Sequence, residues 1–382
     1  MASADVLILG AGPAGAIAAL NLAPTRRVLL VERRKDASPR IGESLPPAAR
    51  RLLTDMGLWE SFLSEGHAPC FGNRAIWGGP DPVEMDFVRD LDGHGFHLDR
   101  ARFEIWLRRE AVRRGAALIF PAALHSIARD GDGWRVRLSS DRGVLETRVS
   151  VLVDAGGRSA PLSRRLGARR TASDKLVCGW VHGHCAESGP SAGTTYIEAE
   201  PDGWWYSAPL PAGRRVLAFH TDADLPAARV THDRDALLAR ARSISGLSGV
   251  LEAAMFLPDE RSGFTAAHSA VTSPYVGDGW LAVGDAASSF DPLSSQGLLN
   301  ALFTGLAAAE AIERHLEGDA DAIPGHARAL EGIWAAYERH LRLFYAQEIR
   351  WPDRPFWQRR RGALHLTAPA PERALPGLGR LA

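Results

Sequence analysis

Lysine is almost missing from this 382-residue chain: Lys35 and Lys175 are the only two among 45 basic residues. The arginine excess, like the alanine excess, reads as coding bias and carries no functional meaning. Cysteine is nearly as scarce. Cys70, Cys178 and Cys185 form neither a Cys-x-x-Cys pair nor a metal-ligand spacing, which suits reduced, structural thiols more than a disulfide framework and implies no metal site. Net charge is absent too, since 45 acidic residues balance the 45 basic ones, so no field recruits nucleic acid or an anionic surface. No apolar run reaches the ~18 residues of a spanning helix. The stretch Val6 to Ala23 is interrupted by glycines and Pro13, and Asp5 stands where a signal peptide would carry positive charge. The expectation is a cytoplasmic protein without stable membrane insertion. No internal repeat is present.

What is there is glycine in two informative places. Near the start, the apolar run Val6 to Leu9 leads into Gly10, Gly12, Ala14 and Gly15, then a helix-forming stretch, Ala16 to Ala23, then a second apolar run, Val28 to Val31, ending on Glu32 and Arg33. Strand, tight turn, helix, strand and acid is the order a dinucleotide site needs. Gly10 permits the turn, Gly12 lets backbone approach a pyrophosphate, and Gly15 lets helix and strand pack closely. The helix start meets the phosphates with unpaired N–H groups, and Glu32 can accept both ribose hydroxyls. Far along the chain, the run Trp280 to Val283 ends in Gly284-Asp285, followed by Asp291-Pro-Leu-Ser-Ser-Gln-Gly297 and a long Ala/Leu helix. Asp285 can bind a polyol, and the helix start at Gln296-Gly297 can stabilise negative charge on a flavin edge. Together the two segments imply FAD.

Elsewhere the pattern predicts a loop from Arg33 to Pro47, a helix from Ala48 to about Met56, and strands at Arg74 to Trp77 and Val83 to Phe87. A helix over Arg100 to Gly115 carries Phe103, Leu107 and Ala111 on one face. A hairpin pairs Trp134 to Leu138 with Leu145 to Val149, and Val151 to Val153 re-enters the first sheet. Strands follow at Leu176 to His184, Thr194 to Glu198, Trp204 to Ala208 and Arg215 to His220. Long helices span Gln296 to Leu316 and Gly325 to Gln347, and from Trp351 the chain is expected to run over the surface.

These motifs resemble the flavoprotein monooxygenases of the para-hydroxybenzoate hydroxylase fold, a group that includes flavin-dependent halogenases and geranylgeranyl reductases, and the likeness covers nearly the whole chain. Gly10-x-Gly12-x-x-Gly15 with Glu32 matches the ADP site. Val153-Asp-Ala-Gly-Gly-Arg-Ser159 matches an Asp-Gly segment near the pyrophosphate, stretched here to Asp154-Ala-Gly156. Gly284-Asp285 with Pro292 matches the ribityl and flavin segment. Arg100 matches a residue that contacts FAD, and Gly42-Glu43-Ser44 a turn beside the flavin. Within the group, Gly42 to Ala49, Gly93 to Arg100, Gly203 to Pro209 and Arg350 to Trp357 resemble the LodB/GoxB type, flavoproteins of cysteine tryptophylquinone maturation.

The resemblance implies an α/β fold in which a Rossmann-like, GR2-type FAD-binding domain (1–73, 98–175 and 262–322) interleaves with a substrate domain on a mainly antiparallel sheet (74–97 and 176–261), with a C-terminal helix and tail (323–382). It implies reduction by NAD(P)H as a transient donor, since only one dinucleotide fingerprint is present, and oxygen transfer from a flavin C4a-hydroperoxide to an electron-rich ring. The substrate would be a small aromatic molecule or a tryptophan side chain in a partner protein. The alternative is a halogenase-like or geranylgeranyl reductase-like oxidoreductase acting on a small molecule. Halogenases carry a lysine shortly after the Gly-Glu turn, and Ala68 to Arg74 has none. His94 and His97 flank the segment before Arg100; they either lie near the flavin and titrate near neutrality or hydrogen-bond their own tight loop. Trp204, Trp205 and Tyr206 lie on one strand, where only alternate side chains share a face; Trp205 and Ser207 are the pocket candidates. The aromatics and arginines from Arg350 to Arg361 suggest either a protein interface or a cap on the second domain's core.

Overall fold

The computed structural model describes residues 2–35, 40–87, 90–141, 143–186 and 193–361. The chain divides into two units, one holding the residues up to Gly42, Arg100–Ser173 and Ser269–Ala336, the other Glu43–Asp99, Asp174–His268 and the residues from Tyr337.

The first unit is built on a sheet with strand order Val276–Gly277, Trp280–Ala282, Gly143–Asp154, Ala2–Leu9, Val28–Val31 and Ala117–Ile119. The strands from Trp280–Ala282 to Ala117–Ile119 run parallel, and their apolar residues are buried, Val6, Ile8, Leu30 and Val153 completely. The expected hairpin is there, but its second strand does not stop at Val149. Gly143–Asp154 is continuous, pairing antiparallel with Gly133–Ser140 along its first half and parallel with Ala2–Leu9. Helix Pro13–Leu22 starts three residues earlier than expected because Pro13, at a first-turn position, needs no hydrogen-bonded N–H. It packs against Gly297–Leu316, where Gly305 permits the approach: a Cβ there would lie 2.4 Å from the Ala14 carbonyl oxygen.

The second unit is built on a sheet with strand order Leu257–Ala266, Leu176–His184, Arg214–Asp222, Gly203–Leu210, Thr194–Glu200, Gly72–Ile76 and Val83–Asp86. It is antiparallel except where Thr194–Glu200 meets Gly72–Ile76. Helices Arg234–Arg242 and Ser245–Ala253 supply Leu237, Leu238, Ala241 and Leu247 to a core with Val181, Tyr196, Trp205, Leu217 and Phe219. A smaller sheet joins Ser44–Leu45, Gly95–His97 and Ala68–Cys70.

Three expectations are corrected. Residues 43–73 belong to the second unit, since Ala68–Cys70 pairs with Gly95–His97 and Phe62 packs edge-on against Phe96. Leu257–Ala266, assigned in part to the first domain, is an edge strand of the second sheet. The segment after Trp351 does not run over the surface: Phe356 and Trp357 on helix Pro355–Arg361 are fully buried, and Trp357 Nε1 donates to the Glu200 carbonyl at 2.9 Å. Its arginines are engaged rather than merely solvated, Arg360 on Asp222 at 2.8 Å and Arg359 on Asp224 at 2.6 Å. Aromatic spacing there was read without its partners, which lie some 150 residues away in the chain.

Candidate FAD site and substrate face

The three early glycines do different work. Gly10 has φ +110°, and a Cβ on it would sit 2.2 Å from the Ala155 carbonyl oxygen. A Cβ on Gly15 would sit 1.9 Å from the Gly10 oxygen. Gly12 differs: nothing lies within 4 Å of a Cβ built on it, so the protein leaves that space open. Gly12 also caps helix Pro13–Leu22 without a side-chain bond, so no side chain takes up the first-turn N–H groups there. Ala14 is spent on packing, its Cβ 2.8 Å from where one on Gly284 would lie.

Glu32 is positioned by backbone. Its two oxygens accept from Ala11 N at 3.1 Å and Arg34 N at 2.8 Å, with Arg108 Nη2 3.6 Å away. Arg33 beside it is exposed. Arg108 was not anticipated. It lies on one stripe of helix Arg100–Arg113 with Arg100 and Glu104, and Glu104, almost fully buried, pairs with Arg100 at 2.8 Å, Arg40 at 3.3 Å and Arg108 at 3.7 Å. The alternation of charge at four-residue spacing was the available signal. Arg100 donates to the Gly42 carbonyl at 2.7 Å, while its buried Nε has no hydrogen-bond partner among the described residues.

Asp154 departs from expectation. It is fully buried, and its carboxylate accepts from Gly156 N, Leu162 N and Ser163 N at 3.0, 3.0 and 2.7 Å. Burial raises its pKa against those three bonds. Asp154 therefore organises the turn, and Gly156 is glycine because Pro161 Cδ would lie 2.4 Å from a Cβ. Asp285, by contrast, keeps a side chain 38% exposed, held 3.6 Å from Arg158 Nε. Asp291 caps the short turn Pro292–Ser294, with Pro292 exposed. Gln296 then opens helix Gly297–Leu316 without a side-chain cap, and a Cβ on Gly297 would meet nothing within 4 Å. Two uncapped helix starts, an open glycine, two positioned carboxylates and a waiting guanidinium nitrogen suit an elongated dinucleotide, so the residues fit FAD.

In the second unit, His94 is exposed, its Nδ1 2.9 Å from the Gly95 carbonyl oxygen. His97 is fully buried beside Thr195, Nε2 to Oγ1 2.8 Å, and burial pulls its pKa from 6.5 to about 3. It stays neutral through the physiological range, so the expectation that it titrates near neutrality is overturned. Trp205 and Ser207 do not line an open pocket. Trp205 is packed in the helix-covered core with Nε1 on Glu200, and Ser207 accepts from Arg215 at 3.2 Å. Glu43 is almost fully buried, with Ser44 on the strand beside His97. Glu43 Oε1 lies 3.7 Å from His182 Nε2. Among the described residues no helix is long and apolar enough to cross a membrane.

Residues 3–323 match the family described as the FAD binding domain. The chain is 29% identical over 366 residues to the FAD-dependent oxidoreductase LodB of Marinomonas mediterranea, covering 94% of this chain and 97% of that one. Among solved structures, the myxobacterial chondrochloren halogenase CndH is similar with a TM-score of 0.85 at 25% identity, covering 94% of this chain and 86% of that one. QhpG, a peptidyl tryptophan dihydroxylase essential for tryptophylquinone cofactor biogenesis, is similar with a TM-score of 0.76 at 28% identity, covering 96% and 80%.

Proposed function

The chain belongs to the FAD binding domain family and is an FAD-dependent oxidoreductase, and from that premise we propose that it is a monooxygenase that hydroxylates an electron-rich aromatic ring, the side chain of a tryptophan in a partner protein. Glu32 takes the adenosine ribose, the start of Pro13–Leu22 the pyrophosphate, Asp285 the ribityl chain, and the start of Gly297–Leu316 the flavin edge. Bound FAD would supply the activation of dioxygen, with NAD(P)H as the transient electron donor in the cytoplasm. The chain's own residues exclude water and orient the ring.

The observation that carries this reading is the second unit's sheet, which offers buried aromatic and polar side chains where a thiol-based oxidoreductase would offer a cysteine pair. Cys70 and Cys178 are buried single thiols, and burial pushes both up, away from the reactive thiolate. The similarity to QhpG supports a peptidyl tryptophan as the substrate class. The similarity to CndH favours halogenation as a second reading. Against it, Lys175 is bound to Asp224 at 2.7 Å with its side chain 64% exposed, and Lys35 is the only other lysine.

The test is turnover of a tryptophan-bearing peptide with NAD(P)H and isotopically labelled dioxygen, in the presence of bromide. Mass spectrometry should show labelled oxygen in the indole. A brominated product would replace this reading by the halogenase one, and saturation of a polyprenyl substrate without oxygen uptake would replace it by the reductase one.

A further inference from the structure

An edge strand of the second unit's main sheet, Leu257–Ala266, borders a small cavity. Ser262 and Phe264 on it pair with Val181 and Gly179, and directly paired residues point the same way, so both side chains share the face on which Val181 packs with Leu237. Gly179 lets the chain at Thr231 close onto that face, since a Cβ there would lie 2.4 Å from the Thr231 Cα. The His232 ring then stacks on Phe264 at 4.0 Å. Between this stack, Ser262 and the start of helix Arg234–Arg242 lies a cavity of about 110 Å³, whose walls include Val181, Leu237 and Asp233.

Size limits the occupant. A dry cavity of about 150 Å³ admits benzene, and whole small-molecule ligands fill about 300–1,000 Å³, so this one takes a single side chain. Its polar groups set the chemistry. Asp233 Oδ1 accepts from Asp235 N and Ala236 N, both at 3.0 Å, and Oδ2 has no partner among the described residues. One free carboxylate oxygen suits an ammonium, a point charge, better than a two-pronged guanidinium. Arg234 in the wall is turned to the Asp259 carbonyl at 3.1 Å and to Asp235 at 2.8 Å, and Arg261 pairs with Asp259 at 3.1 Å. Asp235 and Glu260, with side chains 86% and 96% exposed, make the rim acidic.

The backbone of the edge strand decides how such a side chain arrives. Ala267 N donates to Leu176 O at 2.9 Å, which makes these two residues a hydrogen-bonded pair. Bonded and non-bonded pairs alternate between antiparallel strands, so Cys178 with Thr265 and Trp180 with Gly263 are bonded, and the N–H and C=O groups of Ser262 and Phe264 face away from the sheet. An edge of this kind accepts an added strand, whose alternate side chains pass the small Ser262 to the cavity. A second copy of the chain is a poor source of the ammonium, since Lys35 and Lys175 are its only lysines and Lys175 is bound to Asp224. We propose that this edge docks an extended segment of a partner polypeptide, which pairs with Ser262 and Phe264 and places a lysine side chain in the cavity, its stem against Val181 and Leu237 and its ammonium on Asp233. The site goes beyond the proposed oxidation and stands whichever ring is oxidised.

Calorimetry on the FAD-loaded full chain tests this with the blocked pentapeptide acetyl-Thr-Val-Lys-Val-Thr-amide and its norleucine analogue, which keeps the stem and lacks the charge. The lysine peptide should bind about tenfold or more tightly, the worth of a hydrogen bond to a charged group. Asp233→Asn, which keeps the helix cap because asparagine caps as well as aspartate, should reduce that preference to a few-fold. Ser262→Leu, which fills the cavity from an exposed strand, should weaken both peptides at least tenfold. An undiminished preference in Asp233→Asn overturns the assignment even if Ser262→Leu fails to fold. Unchanged affinities in a folded Ser262→Leu overturn it as well, as does a wild type that does not bind the lysine peptide. Binding of n-butylamine as tight as that of the peptide would overturn the polypeptide in favour of a free amine, and dimerisation in sedimentation that Asp233→Asn abolishes would overturn it in favour of a second copy.

Discussion

The nucleotide turn of the first unit and the sheet of the second divide labour in opposite ways. Around Gly10 to Gly15 the glycines pressed against backbone and the glycine that leaves open space alternate within six positions. On the sheet, Trp205 and Tyr206 are neighbours in sequence, yet one is packed into a helix-covered core and the other stands on the face of unpartnered polar atoms. The turn shows that a site made of main chain is written locally. The sheet shows that a site made of side chains depends on which face each strand presents.

The sharpest break comes from Gly15→Val. Its Cβ would lie 1.9 Å from a carbonyl oxygen of the adjoining turn, so the loss should exceed about 4 kcal/mol and leave little folded protein on a melting curve. Gly12→Val, three residues earlier, should melt like the wild type and bind no FAD, because the added atoms enter open space. A single change tests the sheet. Trp205→Ala should cost about 3–5 kcal/mol by denaturant titration, through the cavity it leaves. Asp285→Ala should weaken FAD by about 1.5–3 kcal/mol, the worth of a hydrogen bond to a charged group, with retention unchanged only if the ribityl chain lies elsewhere.

Acid sharpens the contrast further. His97 and His220 are buried neutral, with pKa values drawn by burial from 6.5 to about 3. Below pH 6.5 the unfolded chain binds protons that the folded chain refuses, so their contribution is fully present above that pH and is lost as pH falls toward about 3. His97→Gln should remove about one proton from the pH dependence of stability over that window. Tyr206→Phe should be the mildest change, within about 1 kcal/mol of wild-type stability, since it deletes a hydroxyl that has no partner among the described residues.

Much of the first unit was legible. Short-range order of strand, glycine turn, helix and acid survives any tertiary context, and the strands ending before Glu32 and before Gly284-Asp285, with the helices after Gly12 and Gln296, were readable from it. Asp154 was not, because a carboxylate before a glycine looks the same whether it faces a ligand or, as here, three backbone N–H groups. Arg108 and Arg158 act on Glu32 and Asp285 across 76 and 127 positions of chain, read from their numbers.

By itself, the sequence determined the dinucleotide turn, the alternation along Gly203–Leu210 and the absence of a redox cysteine pair, because these depend on backbone sterics, a period of two and composition. Only the tertiary structure decided which half of that alternation meets helices and which meets Glu43. It also decided that Phe356 and Trp357 are core and that His97 is neutral. Register, burial and desolvation are set by partners far away in the chain, and no local pattern encodes them.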